Sequence, residues 1–376
     1  MNPLLRAGTR TAVLAAFVVG ATCAQGAPIF VPGDQPFGDV PPLALTGFNL
    51  STNTQKAFQV YFNGFSWAGE VAAYPMGVDG KTKVADRLWS AFDVFRDNQA
   101  CGYPTDPAAA TVNYWDVERL VVTRDGSTNI PFRWGSPGLS AAQKAALDVD
   151  VTNGGKSDKI HRFIRGDRAN EKYEKVLQGD GVTVQSECGS AGGIFRGRVG
   201  IFGDVLHSRP LFVGAPPGDY TFDSYPAFKA ANASRPQRLY VGANDGMVHA
   251  FDVASGKETW AYIPSMLIGT LNRLSIDPYT HTYYVDGQMA AADVNFGTTA
   301  SPDWRTVIVG GLGAGGKGLF ALDITSASAS NETEAKGKIL WEITPASAGY
   351  GNLGYTYGTP LIVRMNTGQW VVIVGN

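Results

Sequence analysis

Leu239-Tyr240-Val241-Gly242, then Ala250-Phe251-Asp252-Val253, then Gly256-Lys257-Glu258-Thr259-Trp260 and Pro264, is a passage that this chain writes twice and begins a third time. The second copy is Val307-Ile308-Val309-Gly310, Ala321-Leu322-Asp323-Ile324, Gly337-Lys338-Ile339-Leu340-Trp341 and Pro345. The third opens at Val372-Ile373-Val374-Gly375 and reaches Asn376, so the last copy is expected to be partial. A long period with a fixed Gly/Trp grammar marks a stacked or radial array of units.

Each copy is preceded by a short apolar run: Pro210–Val213, Met289–Ala292 and Pro360–Val363. One unit therefore reads as four strands of four to six residues, rich in Val, Ile, Phe and Tyr and bounded by Gly, Asp, Asn and Pro. Asn244-Asp245-Gly246 is a hairpin signal, because Asp-Gly accepts positive φ. Asp252 and Asp323 end a strand where a short acceptor can tie the next turn. Trp260 and Trp341, flat and apolar, suit wedges between neighbouring sheets, and the four residues are grouped as blade-docking candidates. Four-stranded units around an axis are β-propeller blades. Val241 and Val309 stand 68 positions apart, and Val309 and Val374 stand 65 apart. That exceeds the ~40–50 residues of compact blades, so long loops are expected. A β-sandwich is the runner-up, though sandwiches do not normally repeat their sequence.

The rest of the chain divides as residues 1–26, a signal peptide; 27–55, a Pro/Gly-rich leader arm; 56–160, a diverged β-rich region; 161–200, a linker; and 201–376, the propeller. Arg6 and Arg10, the apolar run Ala12–Gly20 and small residues before Ala24 or Gly26 make the secretory signal. The expected location is beyond the inner membrane: periplasm, outer membrane or cell surface. Phe58–Phe62, Trp67–Tyr74 and Arg119–Thr123 alternate like strands and could supply another blade. Leu88–Phe92 reads as a short helix, and Ser140 caps a helix running to Leu147. A net charge of −2 among 376 residues gives no basis for general nucleic-acid binding or a polybasic membrane patch.

Candidate chemistry is sparse. Cys101 and Cys188 could pair in an oxidising compartment, contributing ~4 to 5 kcal/mol in the chain-entropy model, or stand as free thiols. Gly311–Lys317 has a phosphate-loop skeleton, but Gly318 stands where the magnesium-binding hydroxyl belongs, and a glycine hairpin between strands is the better reading. His161, His207, His249 and His281 are scattered, which gives no metal pair and no catalytic residue. His249 reads as a packed or hydrogen-bonded strand residue. Asp204, His207 and Ser208 read as a tied turn. Arg165-Gly166-Asp167 is an integrin-type tripeptide, which needs an exposed turn to act in adhesion.

Three stretches together carry a family likeness. Phe163–Arg168, Phe195–Arg198 and Phe202–Pro210 resemble the opening of the C-terminal propeller of type IV pilus biogenesis proteins of the PilY1/PilC kind. Tyr240–Phe251 and Gly310–Asp323 resemble that family's most distinctive segments, and Trp67–Glu70 with Leu88–Ala91 resembles the region upstream. The likeness covers roughly residues 55 to 376. It implies a secreted, non-enzymatic protein at a type IV pilus that favours assembly over retraction, with minor pilins or the pilus tip as partners and adhesion to host or abiotic surfaces through the loops at 213–237, 264–288 and 324–337. It also implies calcium in the full-length protein, with the calcium loop beyond Asn376 and no cofactor in this chain. Asp148–Gly154 is a faint echo of such a loop that lacks the bidentate Glu. Little lies between the signal and residue 55, where many family members carry a von Willebrand A-like domain. The alternative is a periplasmic quinoprotein dehydrogenase of the pyrroloquinoline-quinone type, whose blades also dock a tryptophan. A third reading is a propeller scaffold for outer-membrane assembly.

Overall fold

The computed structural model describes residues 43–46, 55–64, 66–82, 84–97, 114–148, 158–172, 175–177, 183–185, 189–190 and 192–375. The first sheet joins β1 (Leu43–Leu45), β2 (Lys56–Asn63), β3 (Ala68–Pro75) and β4 (Trp89–Ser90) in sequence order. Helix α1 (Ala91–Asp97) follows directly, so the Leu88–Phe92 stretch is strand first and helix only from Ala91. Then come α2 (Tyr114–Val117), the hairpin β5 (Val121–Asp125) and β6 (Thr128–Pro131), α3 (Ala141–Leu147) and α4 (Asp158–Arg165). A small hairpin, β7 (Lys175–Leu177) and β8 (Thr183–Gln185), stands apart as its own sheet.

The first repeat copy builds β9 (Leu211–Val213), β10 (Arg238–Gly242), β11 (Val248–Asp252) and β12 (Glu258–Tyr262). The second builds β13 (Met289–Asn295), β14 (Trp304–Gly311), β15 (Leu319–Asp323) and β16 (Ile339–Ile343). Both are antiparallel and pair in chain order, with matching register shifts at Ala250/Phe251 and Ala321/Leu322. A fourth sheet is represented by β17 (Leu361–Arg364) and β18 (Trp370–Ile373). The first strands lie side by side in succession, β1 by β9, β9 by β13 and β13 by β17. That is the radial arrangement of an incomplete propeller, the fold class read from the repeats.

The apolar runs are continuous because the second sheet is buried on both faces. Alternate side chains point to opposite faces of a strand. Leu239, Val241, Phe251 and Val253 pack with Phe58, Val60, Val71 and Trp89 of the first sheet. Tyr240, Ala250, Trp260 and Tyr262 pack with Ile308, Phe320 and Leu322 of the third.

Two expectations change. Of the three upstream runs expected to supply another blade, Phe58–Phe62 and Trp67–Tyr74 share the first sheet, but Arg119–Thr123 does not join them. β5 pairs in parallel with β12, Ala261 opposite Val121, and widens the second sheet to six strands. Nor is the region before the propeller a linker throughout. Ile160, Phe163, Ile164 and Phe195 are buried in the core shared by the second and third sheets. Ser140 caps α3 with a reciprocal box through Gln143, as its sequence suggests.

Candidate functional site

The repeats meet along seams between sheets, and the seam between the second and third sheets holds Trp260. Trp260 is fully buried on β12, and the Lys338 ammonium of the next repeat lies 5.7 Å from its ring centre. Trp341 occupies the same place on β16 and is half-buried. The sequence reading missed a third member. Trp89, on the fourth strand of the first sheet, is buried and donates from Nε1 to the Val253 carbonyl at 3.0 Å. It lies against Gly256, the glycine of the first Gly-Lys-x-x-Trp copy. A Cβ at Gly256 would stand 2.6 Å from the indole, and φ there is +72°. Trp89 and Trp260 thus dock on the next sheet's turn before its own fourth strand. The signal for Trp89 was its place in Leu88-Trp89-Ser90-Ala91, without the Gly-Lys prefix.

Asp252 and Asp323, grouped with the tryptophans as docking residues, work inside their own sheets. Asp252 Oδ1 accepts from the amides of Ala254 and Ser255, at 3.1 and 2.9 Å, while Oδ2 meets Arg238 of β10 at 2.7 Å. Asp323 Oδ1 accepts from the Thr325 amide at 3.0 Å. A short carboxylate closing the turn that follows it is a local bond, and it leaves no group for the neighbouring sheet.

A second seam element recurs at the crossovers. The segment leading into each new sheet passes over a glycine of the preceding one: Gly203 over Gly69, Val285 over Gly242 and Thr356 over Gly311. A Cβ at Gly242 or Gly311 would stand 2.6 Å from the crossing carbonyl. That close approach explains Gly242, which closes the first Val-x-Val-Gly strand, and Gly311, one residue past the motif glycine Gly310 of the second.

The Asp204, His207 and Ser208 cluster serves the first crossover, each side chain with a different partner. Asp204 accepts from Asn244 Nδ2 at 2.7 Å and pairs with His281 Nε2 at 2.9 Å. His207 Nδ1 meets buried Asp286 at 2.6 Å, and Ser208 Oγ accepts from the Gly242 amide at 3.2 Å. The glycine loop between β14 and β15 is a single 3-10 turn over Gly313–Gly315. The amides of Leu312 and Gly313 already donate to Thr356, so they do not form an open anion cradle.

Buried charge ties the upstream region to the repeats. Arg119 forms a two-bond pair with Glu258, at 2.6 and 2.8 Å, both side chains being nearly inaccessible. Glu258 also meets His249 Nδ1 at 2.7 Å, and His249 Nε2 lies 3.1 Å from Asp245. Burial alone would raise the Glu258 carboxyl, but Arg119 and His249 hold it down at about 2. Burial would lower His249, but Asp245 and Glu258 lift it to about 9. His249 is a packed, hydrogen-bonded strand residue within a charged chain.

The Arg165-Gly166-Asp167 tripeptide is not displayed. Arg165 is fully buried, donating to the carbonyls of Trp115, Phe132 and Arg119 and pairing with Glu332 at 3.1 Å. Asp167 is buried and paired with Arg162 at 2.7 Å. A guanidinium so enclosed cannot reach a receptor, and the integrin reading is withdrawn.

The three loops expected to bind partners are likewise engaged internally. Residues 213–237 carry α5 (Tyr225–Ala231) and lay Tyr220 and Tyr225 on Trp304, at centroid distances of 5.5 and 4.7 Å. Residues 264–288 include the 3-10 segment Ser265–Ser275, which buries Leu267, Ile268, Leu271 and Leu274. Residues 324–337 hold α6 (Glu332–Lys336), whose Glu332 pairs with Arg133 as well as Arg165. Cys101, Cys188 and residues 149–154 lie outside the described residues. Among the described residues, no group of three or more His, Cys, Asp or Glu side chains could hold a metal ion, and no helix is long and apolar enough to cross a membrane.

Four-stranded sheets docked edge-on through tryptophans, with their first strands side by side, define an incomplete β-propeller. Residues 202–376 match the family described as PilY1 beta-propeller domain. The type IV pilus biogenesis factor PilY1 of Pseudomonas aeruginosa strain PAK is 33% identical over 344 residues, which is 86% of this chain and 25% of that protein. A type IV pilus biogenesis factor PilY1 homolog of Xylella fastidiosa is 34% identical over 343 residues, 88% of this chain and 23% of that protein. The crystal structure of the Pseudomonas aeruginosa PilY1 C-terminal domain shares 36% identity, covers 44% of this chain and 31% of that one, and gives a TM-score of 0.34. The chain belongs to the PilY1 family, and it spans about a quarter of the length of these curated relatives.

Proposed function

We propose that this chain is the propeller-bearing part of a type IV pilus biogenesis factor that acts by binding rather than by catalysis. It favours pilus assembly over retraction, with minor pilins or the pilus tip as partners, and it works beyond the inner membrane, in the periplasm, outer membrane or at the cell surface. The observation that carries this reading is the 33% identity over 86% of the chain to a protein named for pilus biogenesis. The seams support it, since a rigid radial scaffold suits protein–protein contact. Adhesion to a surface is a secondary part of the proposal and falls to a face other than the buried tripeptide. A calcium requirement of the complete protein rests on the family resemblance. The described residues offer no fitting ligand group, so no step runs through calcium here.

The relatives are named as biogenesis factors, and no observation favours the quinoprotein alternative. Deletion of the complete gene in its source bacterium, scored by electron microscopy for surface pili, tests the proposal. Loss of pili, reversed when retraction is also blocked, is expected. Normal pili and normal twitching would refute it.

A further inference from the structure

Outside the seams, a cleft of about 770 Å³ opens between α2, the end of β6, α4 and α6. The size falls within the range of small-molecule sites, which combine aromatic walls with a few placed polar groups. Two half-buried indoles, Trp115 and Trp134, line it. Its polar groups are held in place beforehand. Arg133 bonds Glu332 Oε2 at 2.8 Å and also pairs with Asp116, whose carbonyl accepts from the same guanidinium at 2.7 Å. The Arg162 guanidinium lies 4.9 Å from the Trp115 ring centre.

His161 belongs to the wall. It lines the cleft and is only 3% exposed. Its Nε2 lies 2.9 Å from the Phe132 carbonyl, which accepts only if that nitrogen carries the hydrogen. Nδ1 is then an acceptor, and it is buried with no partner among the described residues. Burial pushes the imidazole down to about 4, so it stays neutral. The atom is closed to solvent, so His161 serves as a neutral, fixed part of the cleft wall.

We propose that this cleft is a saccharide-binding site that takes a short, neutral oligosaccharide. A sugar offers hydroxyls that donate to Asp116 and accept from Arg133, and C–H faces that lie against indoles. Carboxylates and guanidiniums alternate along the wall, which suits a neutral, polyhydroxylated ligand better than an anion or a cation. The inference does not rest on the pilus reading.

The test is titration calorimetry of the full-length secreted protein against cellotriose, chitotriose, maltotriose and lactose. Trp134→Ala and Asp116→Asn are run in parallel, with the thermal midpoint of each recorded. Binding of at least one of these sugars is expected, weakened at least tenfold by each variant. Asp116 is the safer substitution, since its side chain is 46% exposed. No heat from any of the four at millimolar concentration would overturn the proposal. Binding unchanged by Asp116→Asn would also overturn it, as would capture of a peptide by the cleft with no sugar bound.

Discussion

Trp260 and Trp341 occupy the same position in two repeats, yet they differ in burial, and their loss should differ accordingly. Replacing a fully buried tryptophan by alanine costs about 3–5 kcal/mol, the transfer of the ring plus the cavity it leaves. Trp260→Ala should reach that range in chemical denaturation of the purified protein, while half-buried Trp341→Ala should cost clearly less. Equal losses at the two sites would contradict the docking geometry. The Arg119–Glu258–His249 chain gives a second expectation, with opposite signs at the two ends of the pH scale. Glu258 is held at about 2, below its ordinary 4.5, so its stabilisation is present above 4.5 and is lost as pH falls through 2. His249 is held at about 9, above its ordinary 6.5, so its stabilisation is complete below 6.5 and is lost as pH rises through 9. Glu258→Gln should flatten both limbs of a stability–pH curve, and an unchanged curve would refute the assignment. Glu70 runs the other way. Burial outweighs the bonds from Ser90 and the Phe92 amide and lifts it to about 7, so stability should fall as pH rises from 4.5 through 7. Glu70→Gln should remove that slope.

The elements divide into those a local pattern reveals and those it does not. The four strands of each repeat were legible because length, apolar run and turn residues all sit within one unit. Asn244-Asp245-Gly246 and Ser140 were equally legible, each being a local bond. The parallel join of β5 to β12 was not, because a strand's own alternation does not name its partner. Trp89 kept the ring but lost the Gly-Lys prefix, and so escaped the repeat grammar. The ion pairs were out of reach for a plainer reason, since Arg119 and Glu258 are 139 positions apart and Arg165 and Glu332 are 167 apart. That distance also hid the burial of the tripeptide. The β5–β6 hairpin further clasps the third sheet, with Asn129 Nδ2 donating to the Ile339 carbonyl at 2.7 Å and Arg124 to that of Leu340 at 3.1 Å. Glu332 completes the clasp. Glu332→Ala would leave Arg165 buried without its carboxylate, and breaking such a pair typically costs about 3–5 kcal/mol. A drop of that size in denaturant unfolding, with a smaller one for the exposed neighbour Thr333→Ala, is the expected result.

Across the whole molecule, stability rests on the seams. The second sheet is buried on both faces, so it is stable only between neighbours, and the upstream sheet, the helices and the repeats pack around it. Under the proposed pilus role, function should be lost when a seam opens, because the seams hold the scaffold together. The most direct measurement is the number of surface pili in a strain whose chromosomal gene carries Trp89→Ala together with Trp260→Ala, with the folded protein quantified in the same cells. Folded protein and pili should fall together, and pili should return when retraction is blocked. A full coat of pili on cells that have lost the folded protein would contradict the account.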